Sequence, residues 1–331
     1  MKAAILASVI ATLILASRDL AKAQQAPKQL ARIGFISPAG APGRSSALFD
    51  AFRLGLRDLD YVDGQNILIE RRYAEGRLDR MPALVSELVQ QKIDVIIAVN
   101  NVVIRAAKEA TKTIPIVMVS SVDPVAAGYV ESFARPGGNI TGLANLSRDI
   151  SAKRVEFLKE LLPKMSRIGV LWDADGPGPA IALKEYMAAA QAFRLELRSL
   201  EIRGPNPDLS AAFQAAKAAH MDALIIVGNP LIAQHAKRVF DLAAKYHLAS
   251  MTEERRYVEA GGLASYGANL PSLYRRAAEY VVEILKGAKP GELPVKVPEK
   301  FEIFVNLKTG QQLGLALPQR VLIQADKVIT E

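Results

Sequence analysis

The feature that most constrains this chain is an internal repeat. Arg32-Ile-Gly-Phe35 is echoed by Arg167-Ile-Gly-Val170, an offset of 135 residues. Asp94-Val-Ile-Ile-Ala-Val-Asn100 is echoed by Asp222-Ala-Leu-Ile-Ile-Val-Gly-Asn229, and Ala107-Lys108 by Ala244-Lys245. A repeat of that period implies two similar structural units. In the first copy, apolar runs at Ile33–Ile36, Val95–Val99 and Ile114–Val119 read as strands, and 66–73 alternates like one. Between them Phe49, Phe52, Leu56 and Leu59, then Met81, Leu84, Val85 and Leu88, then 103–110, recur at helical spacing. Continuous apolar strands alternating with amphipathic helices predict a parallel sheet covered on both faces. The expected fold is therefore α/β, with two similar doubly wound parallel-sheet lobes.

Between the copies stands Arg135-Pro-Gly-Gly-Asn139, where proline fixes φ and two glycines free the backbone. Further on, an extended run at 261–267 is bounded by glycine. A predicted helix follows over 271–286, then a proline-rich connector over 290–298 and a predicted strand over 300–306. Several extended joins between two units suggest a multi-segment hinge. We assign an N-terminal lobe to residues 28–140 and 268–298, and a C-terminal lobe to 141–267 and 301–331. Gly137, Gly138, Gly142 and Gly267 are the expected hinge glycines.

The first residues read as a secretory signal peptide over 1–23: a basic start at Lys2, an apolar run over 3–16, and Ala21-Lys-Ala23 as a cleavage site. The run is too short to span a bilayer comfortably. The expected location is periplasmic, after cleavage near Ala23. With no cysteine, disulfides and thiolate chemistry are excluded, and a 331-residue chain is large enough to do without them. The formal charge is +8; the signal segment carries three basic residues and one acidic, so its removal leaves +6. These charges are dispersed among acids, which reads as a solvated surface rather than a nucleic-acid face.

Enzyme signatures are missing. His220, His235 and His247 are the only histidines, and none has a partner at metal-ligand spacing. There is no nucleophile elbow and no Walker-type lysine loop. No catalytic residue, metal or cofactor is expected. Open parallel sheets bind ligands at the carboxyl ends of their strands. That rule selects Ser37, Pro38, Arg44 and Ser45 after the first strand, Asn100 and Asn101 after the third, and Ser120, Ser121 and Asp123 after the fourth. From the second copy it selects Trp172, Asp173, Asn229, Thr252 and Glu253, with Tyr266 near a crossover. The 37–46 loop suits an anion at a helix N-terminus, or plain capping by Ser45 or Ser46. Asp123 before Pro124 fits a helix cap, and Trp172 fits either core or cleft. Asn100 and Asn229 hold equivalent places in the repeat and should face each other across the cleft, as donors and acceptors for a small zwitterion.

Three segments carry a resemblance: DPVAAGYVESFARPGGNITGL, GGLASYGANLPSLYRRAAEYVVEILKGAKPGELPV and FEIFVNLKTGQQLGLALP. Together they resemble the ABC-transporter substrate-binding proteins related to the tryptophan-binding TrpX group. The resemblance runs through nearly all of the mature chain. It implies a type I periplasmic-binding-protein-like fold with an amino-acid-like or aromatic carboxylate ligand between the lobes. It also implies an ABC permease and its cytoplasmic ATPase as partners, and a monomer. A ligand-sensing subunit that presents its ligand to a receptor kinase is the alternative.

Overall fold

A computed structural model describes residues 30–38, 46–147, 150–175 and 177–330. The expected signal peptide lies outside the described residues. The first sheet is parallel throughout, in the order β2-β1-β3-β4-β5. Its strands are β1 (Ala31–Ser37), β2 (Ile67–Tyr73), β3 (Val95–Val99), β4 (Ile116–Ser120) and β5 (Ile140–Ala144). Helices α1 (Ala47–Asp58), α2 (Met81–Gln90) and α3 (Asn101–Ala110) connect them. The second sheet is built from β6 (Arg167–Asp173), β7 (Glu196–Ile202), β8 (Ala223–Ile226), β9 (Ala249–Thr252), β10 (Ala264–Ala268), β11 (Phe301–Asn306) and β12 (Lys327–Ile329). Its order is β12-β11-β10-β9-β8-β6-β7, parallel except where β11 runs against β10. Helices α4 (Ser151–Leu161), α5 (Pro177–Ala192), α6 (Leu209–Ala218), α7 (Pro230–Gln234), α8 (Ala236–Lys245) and α9 (Arg255–Glu259) belong to this half, and α10 (Leu270–Leu285) follows β10.

Alternating side chains on each strand feed two cores. On the first sheet, Ile33, Phe35 and Ile97 pack with Phe52 and Leu56 of α1 and with Ala277 and Val281 of α10. Ile36, Ile96 and Ala98 face the other way, onto Val85 and Leu88 of α2 and Ile104 of α3. The second sheet repeats the scheme. Ile168, Val170 and Ile225 meet Val155, Leu158 and Tyr186, whereas Leu171, Leu224 and Ile226 meet Phe213, Val239 and Phe240. Val305 of β11 and Val321 join the Ile168 cluster, so the C-terminal tail packs with the second sheet.

The repeat has a physical cause. The Arg32 N–H donates to Asp94 Oδ2 at 2.7 Å, and the Arg167 N–H donates to Asp222 Oδ2 at 2.9 Å. Each aspartate leads into the third strand of its copy and ties off the start of the first. The glycine that follows is set by packing. A Cβ on Gly34 would sit 2.7 Å from Leu88 Cδ1, and one on Gly169 2.6 Å from Leu224 Cδ2.

Three connections join the halves: 145–150, 268–270, and the run from 297 to 300. Two boundaries drawn from sequence move. Residues 141–144 are not in the second lobe, because β5 pairs with β4 along its whole length, from Ile140 opposite Ile116 to Ala144 opposite Ser120. Ala268 pairs with Phe301 and so belongs to the second sheet. The hinge glycines move with them. Gly137 and Gly138 precede β5 and lie in the first half, where the Gly137 N–H donates to the Gly291 carbonyl. Gly142 sits within β5 at φ +129°, where a Cβ would overlap the Met118 carbonyl oxygen. Gly267 lies in β10 against the backbone of Glu253, and a Cβ there would overlap the Glu253 carbonyl oxygen. Gly142 and Gly267 are thus demanded by close approach of backbones, not by rotation between the lobes.

Candidate ligand-binding cleft

The carboxyl ends of β1, β3 and β4 face those of β6, β8 and β9 across a cleft. Two cavities of about 390 Å³ each occupy it. They share a waist formed by Pro38, Asn100 and Ser121 of the first half and Gly228, Asn229 and Pro230 of the second. The inner cavity reaches the first connection at Asn145 and Ser147 and is lined by Tyr73, Tyr274, Glu253, Glu254 and Arg256. The outer cavity is lined by Arg105, Lys108 and Tyr129 from one side and by Asp173, Pro179 and Ile181 from the other.

The repeated asparagines do two jobs at the waist. Asn100 caps α3, with its Oδ1 accepting from the Val102 N–H at 3.1 Å. It adopts φ +81°, a left-handed conformation that asparagine tolerates better than most residues. Asn229 caps α7, with its Oδ1 accepting from the Ile232 N–H at 2.7 Å. Its Nδ2 then donates to Asp173 Oδ2 at 3.1 Å. Both asparagines line the cleft, so capping and cleft lining coincide instead of competing.

The electrostatics differ between the cavities. In the inner one Arg256 pairs with Glu254 at 2.7 Å and lies over the Tyr257 ring, 4.8 Å from its centroid. Glu253 is buried and accepts from the Ser147 hydroxyl at 3.0 Å. Burial, reinforced by the charge of Glu254, pushes the Tyr274 hydroxyl above the ordinary phenol range. In the outer cavity, burial pushes the Asp173 carboxyl above the usual carboxylate range, against the pull of the Asp175 N–H. An ionised carboxylate that is desolvated in this way gains from a cation brought to it.

Of the sequence-derived candidates, Ser37, Pro38, Asn100, Ser121, Asp173, Asn229 and Glu253 line the cleft. Asn101 also touches the outer cavity, but its amide is engaged. Its Nδ2 donates to Ser121 Oγ at 2.9 Å and its Oδ1 accepts from Ser120 Oγ at 3.0 Å. Ser120 and Thr252 are fully buried and line neither cavity. The single hydroxyl hydrogen of Ser120 lies within reach of both Asn101 Oδ1 and the Val122 carbonyl, and that of Thr252 within reach of the Glu254 and Ala264 carbonyls. Asp123 accepts from the Val125 and Ala126 N–H groups, but what it caps is a turn over 124–128 and not the helix expected to start at Pro124. Trp172 is core, with its indole N–H on Ser199 Oγ at 2.8 Å. Tyr266 packs on Phe301, with ring centroids 5.8 Å apart, and turns its carbonyl to Arg154. Arg44 and Ser45 lie outside the described residues, and Ser46 is the cap of α1, accepting from the Phe49 N–H.

The strand-end rule misses Tyr73, Ser147, Glu254, Arg256 and Tyr274. Tyr73 ends β2, a strand legible from its alternation, and applying the rule there finds it. Asn145 and Ser147 follow β5, which the glycine break assigns to the second lobe. Arg256 lies in the first turn of α9, four residues past the end of β9, and Tyr274 enters from the far side of a connection.

A family profile for ABC transporter substrate-binding proteins matches residues 33–329. The chain is 30% identical over 265 residues to the tyrosine-binding protein of Clostridioides difficile, covering 80% of this chain and 75% of that protein. Among solved structures, the ABC domain of Streptococcus pneumoniae in complex with L-Trp superposes with a TM-score of 0.79 at 25% identity, over 91% of this chain and 100% of that one. The ligand-free, open structure of a substrate-binding protein with adhesive properties from Clostridium difficile gives 0.65 at 26% identity, with the same coverage. That family binds substrates and does not transform them. With two wound lobes, a cleft at their strand ends and a profile that runs from β1 to β12, this chain belongs to the ABC transporter substrate-binding protein family.

Proposed function

We propose that the protein is the exported receptor of an ABC importer, that it holds a free aromatic amino acid between its lobes, and that it hands this ligand to a membrane permease. One observation carries the proposal: the inner cavity combines an anionic site on one lobe with a hydrogen-bond donor and aromatic walls on the other. Glu253 supplies the anion for a ligand ammonium. Across the waist, the Oδ1 of Asn100 is taken by Val102, so its Nδ2 is the group turned to a ligand and suits a carboxylate. Ser121 and Arg256 line the same cavity and add donors, and Tyr73 and Tyr274, which also line it, add aromatic surface suited to an aromatic side chain. A ligand held from both sides stabilises the closed arrangement, because only contacts that differ between states shift the balance.

The relatives support this choice of ligand: one is a tyrosine-binding protein and another was solved with L-Trp. At nearly equal identity the chain fits the L-Trp complex better than the open, ligand-free structure. That supports taking this arrangement of the lobes as the closed one. The moving bodies are then residues 30–144 with 270–296, and 151–268 with 301–330, turning on the three connections. Among the described residues no helix is long and apolar enough to cross a membrane, which agrees with release after export by the signal segment.

A thermal-shift screen of L-tyrosine, L-tryptophan, their deaminated acids and their amides tests the proposal. The two amino acids should raise the unfolding midpoint most, since a ligand at 100 times its Kd stabilises by about 2.7 kcal/mol. The proposal fails if neither amino acid shifts the midpoint, or if the deaminated acids and amides shift it as much as the amino acids do.

A further inference from the structure

One buried charge lies behind the cleft rather than in it. Arg154, in the first turn of α4, is fully buried. Its Nε–H donates to the Tyr266 carbonyl at 2.7 Å, and its Nη1 to the Ser147 carbonyl at 2.5 Å and the Tyr186 hydroxyl at 3.2 Å. Its Nη2 donates to the Ser147 hydroxyl at 3.0 Å. A guanidinium has no acceptor, so at that contact the serine oxygen must accept, and its own hydrogen points elsewhere. It points to Glu253 Oε2, 3.0 Å away. A fixed chain of donors thus runs from a charge behind the cleft to the carboxylate that lines it.

The chain of contacts also gathers two of the three lobe connections. Ser147 lies in the first, and Tyr266 stands two residues before the second. Ser147 is placed by an unusual backbone. Leu146 adopts φ +49°, and the turn is closed by the Ser147 N–H donating to Asn145 Oδ1 at 2.9 Å. A leucine in the left-handed region persists only where its surroundings hold it there. From behind, the backbone of Gly267 lies against the Glu253 carbonyl.

We propose that Arg154 and Ser147 are positioning residues for ligand recognition. Arg154 orients the Ser147 hydroxyl, Ser147 holds the Glu253 carboxylate where a ligand ammonium meets it, and the same contacts fix two lobe connections in the liganded arrangement. This rests on the proposed contact between the ligand ammonium and Glu253. Neither residue touches the ammonium; their effect passes through Glu253 and shows itself as selectivity for the amine.

The test uses Ser147, because removing the buried guanidinium endangers the fold. Calorimetry on the whole mature protein would compare L-tyrosine with 3-(4-hydroxyphenyl)propanoate and L-tryptophan with indole-3-propanoate. Wild type should prefer each amino acid to its deaminated partner by at least about tenfold, the size of a hydrogen bond to a charged group. Ser147→Ala should reduce that preference about tenfold while leaving the deaminated acids within about twofold, and Ser147→Thr should restore it. Equal weakening of all four compounds, or an unchanged preference in Ser147→Ala, overturns the relay. If Glu253→Gln removes the preference and Ser147→Ala does not, the relay alone falls. If wild type shows no preference for the amine, the Glu253 contact falls and takes the relay with it.

Discussion

At the scale of single residues, the waist of the cleft separates two jobs that the sequence superimposes. Asn100 caps α3 through Oδ1 and lines the cleft, and in the proposed complex its Nδ2 serves the ligand. Replacing it with aspartate keeps a capping oxygen and a residue that tolerates φ +81°, but turns a donor into an anion. Asn100→Asp should therefore unfold within about 0.5 kcal/mol of wild type yet bind amino acids at least tenfold more weakly. Chemical denaturation and calorimetry on the same preparation check both halves. The glycines give a sharper contrast. Gly138 has open space around it and no left-handed φ, so Gly138→Val should change stability by less than about 0.5 kcal/mol. Gly267→Ala forces a carbon into the Glu253 carbonyl, and should cost roughly 1–3 kcal/mol and displace Glu253. Thermal unfolding of the two variants side by side decides it: equal midpoints would refute the close-approach account. Composition marks glycines, but a close approach depends on which backbone passes behind. For that reason the Arg135–Asn139 break is legible as a turn and not as the wrong place for a hinge.

Among the elements, the strands and helices of the first half are legible because their apolar periodicity is strong, and the repeat carries that reading to β6 and β8 in the second. The predicted helix over 271–286 corresponds to α10, and the predicted strand over 300–306 to β11. The lobe of β5 is not legible, because a sequence does not say which sheet a strand joins. Only the pairing with β4, and the residues 294–297 laid along its outer side, reveal that. That outer run is pinned by α10. The Tyr280 hydroxyl donates to the Pro294 carbonyl at 2.6 Å, and the Thr141 hydroxyl donates to the Leu293 carbonyl at 2.6 Å. Burial pushes the Tyr280 phenol from 10.0 up to about 12. The folded state thus holds this proton more tightly than the unfolded chain does. Its contribution is fully present below pH 10 and is lost as the pH rises towards 12, with a slope of up to about 1.4 kcal/mol per pH unit. The stability gap between wild type and Tyr280→Phe should therefore narrow between pH 10 and 12. Urea titrations across that window would show it, and a constant gap would rule out Tyr280 as the source.

For the whole molecule, the doubling of a wound α/β unit explains why the cleft lies where it does. Each unit presents its strand ends to the other, and each contributes an asparagine from the same place in the repeat. That much of the geometry is legible in the sequence, because strand ends follow from periodicity alone. Arg256, Ser147 and Tyr274 stay hidden there because they arrive through connections and helix starts, where no periodic pattern marks a direction. The proposed function requires groups from both lobes to hold the ligand together. The most direct test is calorimetric titration of L-tyrosine and L-tryptophan into the mature protein and into two variants, Asn100→Asp on one lobe and Glu253→Gln on the other. The account predicts one site per chain for at least one of these amino acids, and a loss of affinity of about tenfold or more in each variant. Saturable binding that neither variant weakens, or no binding of either amino acid at millimolar concentration, would contradict it.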